Sequence, residues 1–264
     1  MTEPTSLSPS SRPPATFPQV LSAALRTDPG RPFVTFYDEA TGERVELSLT
    51  TYANWVAKAS SLLVDELGLE RGQCLRIDLP AHWLAVVFLG AAWNTGLVVT
   101  DAESPDAVVC GAATLPVWQA YGAERPDVPV LACSLLPLGV RFADPLPAGV
   151  HDVGVEIWGQ PDGFTPWDPP RPDDAATRWA DGPETSQEEL WAAAAGVPGG
   201  SRLLSEVAPA SPPGTASVTE PLVSGGSLVL VANADAADAA RLDAIASTER
   251  VTGRVPRGDT PRPT

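Results

Sequence analysis

Residues 49–99 read LTTYANWVAKASSLLVDELGLERGQCLRIDLPAHWLAVVFLGAAWNTGLVV. Tyr52, Trp55, Val56, Ala59, Leu62, Leu63 and Leu67 recur at helical spacing, so the stretch opens as an amphipathic helix with Thr51 as its expected cap. Gly68 and Gly72 end that helix and lead into a strand, Cys74 to Leu79. After Pro80 a second helix, about Ala81 to Asn94, is apolar almost all round, which requires burial on more than one side. Gly96 closes it before the short strand Val98-Val99. Alternation of helix and strand at this spacing predicts an α/β fold, a three-layer sheet with helices on both faces.

The flanks extend the same alternation. Upstream, Phe17, Val20, Leu21 and Leu25 share one face of a short helix that Asp28-Pro29-Gly30 stops. Phe33 to Tyr37 and Arg44 to Leu47 read as strands joined by a turn at Glu39-Ala40-Thr41-Gly42. Downstream, strands are expected at Ala107 to Cys110 and Val130 to Cys133, with a helix at Val117 to Tyr121 between them. Residues 141–174 are irregular and mix Pro, Asp and Gly with Trp158, Phe164 and Trp167. A helix follows at Ser186 to Ala195, where Thr185-x-x-Glu188 and Ser186-x-x-Glu189 both fit a capping box. Strands at Leu203-Leu204 and Ser227 to Val231, and a helix at Ala236 to Ala246, complete the pattern. No internal repeat is present. The expected layout is a disordered arm at 1–15, one α/β domain at 16–252 and a disordered polar tail at 253–264.

Composition narrows the function classes. Hydrophobic residues make up 44% of the 264, enough for a sizeable core. The formal net charge of -16 repels phosphate backbones and anionic lipid, which argues against nucleic-acid and membrane-surface binding. Cys74, Cys110 and Cys133 are widely spaced among apolar neighbours and read as free thiols in a reducing cytoplasm. With His82 and His151 the only histidines, no metal-ligand spacing exists, so no metal is expected. The N-terminus lacks the basic start and apolar run of a signal peptide, and Trp83 to Trp93 is too short to span a bilayer. No G-x-S-x-G elbow or G-x-G-x-x-G fingerprint is present. His82 reads as structural at a helix start, His151 as a turn or strand-edge residue, and Lys58 as solvent-facing. Trp55, Trp83 and Trp93 read as core, while Trp158, Trp167 and Trp179 mark a region where an aromatic cleft is conceivable.

Several of these segments resemble the adenylate-forming superfamily, the AMP-binding, acyl-CoA synthetase-like enzymes. Thr51-Tyr52-Ala53-Asn54-Trp55 is similar to that family's Thr-Tyr-x-Glu-Leu helix start. Leu67-Gly68-Leu69-Glu70-Arg71-Gly72-Gln73 is similar to its Leu-Gly-x-x-x-Gly-Asp turn, with Gln73 in place of the acid. A second match follows in family order: Glu220 to Val231 resembles an apolar, Gly-Gly, strand element, and Ala240 to Thr252 resembles the helix after it. Between the two matches the family carries a phosphate loop of the form T-S-G-T-T-G-x-P-K-G. Here that position holds Thr177-Arg178-Trp179-Ala180-Asp181-Gly182-Pro183-Glu184-Thr185-Ser186.

A phosphate cradle needs several glycines, so that backbone N–H groups converge, and a cation to offset the charge. This segment has one Gly and no Lys, and Asp181 and Glu184 repel phosphate. Thr177, Arg178, Asp181, Gly182, Thr185 and Ser186 are therefore the residues of a degenerate phosphate-loop position, with Arg178 reading as a surface charge. The resemblance implies a truncated member, like the short actinobacterial proteins that keep only the first part of the large N-terminal domain. It implies a non-catalytic protein with a binding or regulatory role, with no catalytic residue and no cofactor. A protein partner or homo-oligomer, or a small-molecule ligand, would then carry the function. The alternative it implies is an ATP-dependent carboxylic acid–CoA ligase acting with a partner chain, for which ATP or AMP would be bound.

Overall fold

The computed structural model describes residues 13–196 and 199–255. Helix α1 (Phe17–Thr27) precedes the strands β1 (Pro32–Asp38) and β2 (Glu43–Ser48). Helix α2 (Leu49–Ser61) continues into a π-helical turn, Leu62–Glu66. The quoted stretch then gives β3 (Cys74–Asp78), α3 (Trp83–Thr95) and β4 (Val98–Thr100). Next come β5 (Ala107–Gly111), α4 (Leu115–Glu124), β6 (Val130–Cys133), β7 (Val150–Asp152) and a single turn, α5 (Val153–Glu156). The last third holds β8 (Ala175–Arg178), β9 (Thr185–Ser186), α6 (Gln187–Ala194), β10 (Arg202–Ser205) and α7 (Pro212–Ser224). It ends with β11 (Ser227–Ala232), α8 (Ala239–Thr248) and β12 (Gly253–Arg254).

The strands form two sheets, in the orders β12-β10-β11-β1-β2 and β7-β6-β5-β3-β4-β8-β9. All neighbours are parallel except the hairpins β1–β2 and β8–β9. Each sheet carries helices on both faces, and the two share their middle helical layer. Strand alternation explains how. In β11, Leu228 and Leu230 join the central core, while Val229 and Val231 pack outward against Leu242 and Ile245 of α8. In β5, Ala107 and Val109 face the centre, while Val108 and Cys110 meet Trp118 of α4. Strands buried on both faces must read as continuous apolar runs, as these do.

Helix α3 lies at the centre, and all 13 of its residues are buried. Its packing against α2 is close: a Cβ on Gly90 would stand 2.3 Å from Tyr52 Oη and 2.7 Å from Val56 Cγ2. Gly96, at φ 76°, caps the helix in the left-handed conformation that glycine adopts without steric cost.

Five expectations shift. Ser48, not Thr51, caps α2: its hydroxyl accepts from the Thr51 N–H at 3.1 Å, so the helix starts at Leu49, earlier than a cap at Thr51 would place it. Residues 212–224 form a helix that three prolines concealed. Pro212 and Pro213 occupy its first turn, where no N–H partner is needed, and Pro221 lies inside it. The last helix of the reading, expected at Ala236 to Ala246, moves to Ala239–Thr248 because Asp238 caps it, accepting from Arg241 N. The start of the supposed tail is ordered, since Gly253 and Arg254 pair with Leu203 and Leu204 of β10. Residues 1–12 and 256–264, the bulk of the arm and tail, lie outside the described residues. Ala15, assigned to the arm, is buried, and its N–H donates to Gln19 Oε1 at 2.9 Å.

Candidate functional site

Residues 177–186, where the sequence predicts a degenerate phosphate loop, fold as a tight hairpin. Strand β8 pairs parallel with β4, Val99 beside Thr177 and Thr100 beside Arg178. It then pairs antiparallel with β9, Thr177 opposite Thr185 and Ala175 opposite Ser186. The Thr100 hydroxyl donates to the Arg178 carbonyl at 2.8 Å, and Asp101 Oδ1 accepts from Ala180 N at 2.8 Å. The backbone groups that enter and leave the turn are thus tied to β4 and to the residue after it.

Each named residue has a definite place. Thr177 is buried in β8, and Asp181 and Gly182 are exposed at the tip. A Cβ on Gly182 would meet nothing within 4 Å, so its lack of a side chain serves no close approach. Arg178 donates through Nε, and lies within 2.7 Å through Nη2, to Glu184 Oε2, and its Nη1 reaches Cys74 Sγ at 3.1 Å. The hydrogen bond to Glu184 holds its pKa above the ordinary value. Ser186 caps α6: its hydroxyl accepts from Glu189 N, and the Glu189 carboxylate accepts from Ser186 N at 2.9 Å. Those backbone bonds lower the Glu189 pKa. Of the two boxes the sequence allowed, the one at Ser186 forms.

Chemically, this end of α6 is closed to an anion. Helix N-termini attract phosphate through free N–H groups and the helix dipole. Here Glu189 already answers that dipole, Glu188 lies in the same turn, and Asp181 and Glu184 stand on the hairpin. Arg178, the one cation of the segment, is matched by Glu184.

Outside the hairpin, Lys58 departs from expectation. Its ammonium donates to the Gln160 carbonyl and pairs with Asp162 at 3.0 Å, so the loop after α5 covers it instead of solvent. His82 caps α3, with Nδ1 accepting from Leu84 N at 3.2 Å, and burial depresses its pKa to about 4. His151 lies on edge strand β7, 3.1 Å from Glu156. Trp93 and Trp83 are core residues, and half-buried Trp55 stacks edge-on with Trp83 and Trp158 at 5.0 and 5.3 Å. Trp167 is 84% exposed and Trp179 packs on the central core, so no ring contact among the described residues gathers Trp158, Trp167 and Trp179 into a cleft.

Cys110 and Cys133 are buried free thiols, and burial pushes Cys110 up to about 12. Among the described residues no group of three or more His, Cys, Asp or Glu is arranged to hold a metal, and no helix is long and apolar enough to cross a membrane. Sequence reasoning missed Gln187. This fully buried amide accepts from Phe17 N and Trp191 Nε1 and donates to the Trp93 carbonyl, joining α1, α3 and α6. An isolated Gln at a helix start carries no sequence signal for that role.

Two stacked sheets around a shared helical layer, entered by this order of strands and helices, is the fold of acyl-CoA synthetases in the adenylate-forming class. An acyl-CoA synthetase of Brucella canis superposes with a TM-score of 0.68 at 16% identity over 85% of this chain. Acetoacetyl-CoA synthetase of Streptomyces lividans gives 0.68 at 17% over 82%, and a Mycobacterium tuberculosis fatty acyl CoA synthetase 0.66 at 15% over 90%. The chain spans 44%, 38% and 49% of those chains' lengths. No family model matches the sequence. A Mycobacterium tuberculosis protein described as a TIGR03089 family protein is 37% identical over 244 residues, covering 88% of this chain and 95% of that one. The chain belongs to the TIGR03089 family.

Proposed function

We propose that this protein uses the adenylate-forming fold for binding or regulation and does not form adenylates. The hairpin at 177–186 carries the reading. An ATP polyphosphate requires converging N–H groups and a cation free to meet it. Here Arg178 is clasped by Glu184, the N-terminus of α6 is capped by Ser186 and Glu189, and Asp181 adds a further negative charge. Lys58, the only lysine in the chain, is tied to Gln160 and Asp162. These residues do not fit ATP. A reducing cytoplasmic setting accords with the three free thiols.

Thermal unfolding with and without ATP–Mg²⁺ tests the reading, since a ligand that binds only the folded state raises Tm with its concentration. No rise is expected. A concentration-dependent rise that Arg178→Ala removes would overturn the proposal.

A partner chain is the second element of the reading. Val140, Val155 and Trp158 are exposed around the α5 turn, an apolar cluster of the kind that protein contacts cover. If that partner supplied the missing phosphate-binding groups, the pair would be an ATP-dependent carboxylic acid–CoA ligase. Adenylation by a co-purified complex, absent from either chain alone, is the result that would favour this alternative.

A further inference from the structure

A groove of about 680 Å³ lies between α1, α6 and α7, within the roughly 300–1,000 Å³ usual for small-molecule sites. Its walls are apolar: Val20 and Ala24 from α1, Trp191 and Ala192 from α6, Leu222 and Val223 from α7. No residue of the 177–186 hairpin lines it. The sign of the charge around those walls decides the occupant.

Three observations give the same sign. Two carboxylates, Asp28 and Glu188, border the groove, and both residues are exposed. Arg31, the one cation among the described residues that line it, is engaged inside the protein. Its Nη1 donates to the Gly226 carbonyl, its Nη2 is buried, and the guanidinium lies 5.4 Å from the centroid of the Phe33 ring. The groove also collects helix ends. Thr27 and Asp28 close α1, Ala195 caps the C-terminus of α6, and Ser224 and Gly225 close α7; all of them line it. A helix C-terminus is the negative end of its dipole, which favours a cation and disfavours an anion. Around the groove, the formal net charge of -16 raises the local concentration of cations and lowers that of anions.

We propose that this groove binds an organic cation with an apolar body, an amine carried on a hydrocarbon chain or ring. The ammonium lies beside the Asp28 carboxylate, where the helices end, and the body lies along Val20, Ala24, Trp191 and Leu222. An amine is neither an acid to be activated nor a nucleotide, so the site stands or falls independently of adenylation.

Calorimetric titration of the full chain with decylamine, decanol and decanoate tests this. Decylamine should bind saturably at one site, with decanol about tenfold weaker and decanoate weaker still, the order set by Asp28 and the helix ends. Asp28→Asn should weaken decylamine about threefold or more and leave decanol unchanged. Glu103→Gln, an equal change of charge at an exposed loop residue outside the groove, should leave both unchanged. Ala192→Trp, which fills the groove, should remove binding of both. If that variant does not fold, Ala23→Trp narrows the same groove from α1 and should do the same. Absence of saturable decylamine binding, decanol or decanoate binding as tightly, or binding that survives in the groove-filling variant would each overturn the proposal. So would an effect of Asp28→Asn no larger than that of Glu103→Gln.

Discussion

Helices α3 and α6 both follow a strand of the seven-stranded sheet, and they use their N-termini in opposite ways. The start of α3 is dry. Its cap is His82, 3% exposed and neutral, with Phe36 edge-on at 4.7 Å and no acid in the first turn. The start of α6 is wet and acidic, closed by Ser186 and Glu189 with Glu188 beside them. Further along, α6 turns apolar: Trp191 is buried against Phe17 and Trp93, and Ala192 faces the groove. The comparison teaches that a side chain closes each first turn, His82 Nδ1 accepting from Leu84 N in α3 and Ser186 Oγ from Glu189 N in α6. It also shows that the ligand-sized space touching α6 is on its apolar side.

The most damaging way to break this contrast is Trp191→Ala. The ring is 2% exposed, within 5.8 Å of Phe17 and 5.4 Å of Trp93, and its loss should cost about 3–5 kcal/mol in urea unfolding. Retention of full stability would mean that α6 is not part of the core.

Acid probes the other helix. Burial lowers His82 to about 4 from its ordinary 6.5, so the unfolded chain takes up a proton in that window and the folded chain does not. Stability should therefore fall as pH drops from 6.5 toward 4, by up to about 3 kcal/mol from this group. His82→Asn, which keeps a capping acceptor, should flatten that part of the stability–pH curve. An unchanged slope would contradict the assignment.

Ser186→Ala sharpens the reading of the α6 entrance. Losing the hydroxyl half of the capping box, while the residue-186 N–H still donates to Glu189, should destabilise by about 0.5–2 kcal/mol. The smallest effect is expected from Arg178→Ala. Its pair with Glu184 is half exposed on both sides, so unfolding should change by about 1 kcal/mol or less. A larger loss would mark Arg178 as an organising residue of the hairpin.

Much of this architecture could be read directly. The strands and helices of residues 49–99 declare themselves because each is buried on the faces its periodicity names, α3 on all of them. The strand–turn–strand course of residues 177–186 showed no apolar alternation in the sequence, and only the capping box at Ser186 marked where α6 begins. Other features were not legible, for physical reasons. The division of strands between two sheets depends on pairings such as Val34 with Leu228, which no local pattern encodes. Helix α7 hid behind three prolines: Pro212 and Pro213 suit its first turn, and only at Pro221 does the surrounding packing override the local preference. Lys58 reads as solvated until a loop some 100 residues later covers it. The groove joins α1 to α6 and α7, far apart in the chain, each showing only an ordinary apolar face.

The central proposal, that the 177–186 hairpin does not serve adenylation, is tested most directly by ATP–pyrophosphate exchange with a panel of carboxylic acids. The account predicts no exchange above the protein-free rate for any acid, with or without Mg²⁺. Robust exchange with one acid, abolished by Arg178→Ala in a protein that remains folded, would contradict it.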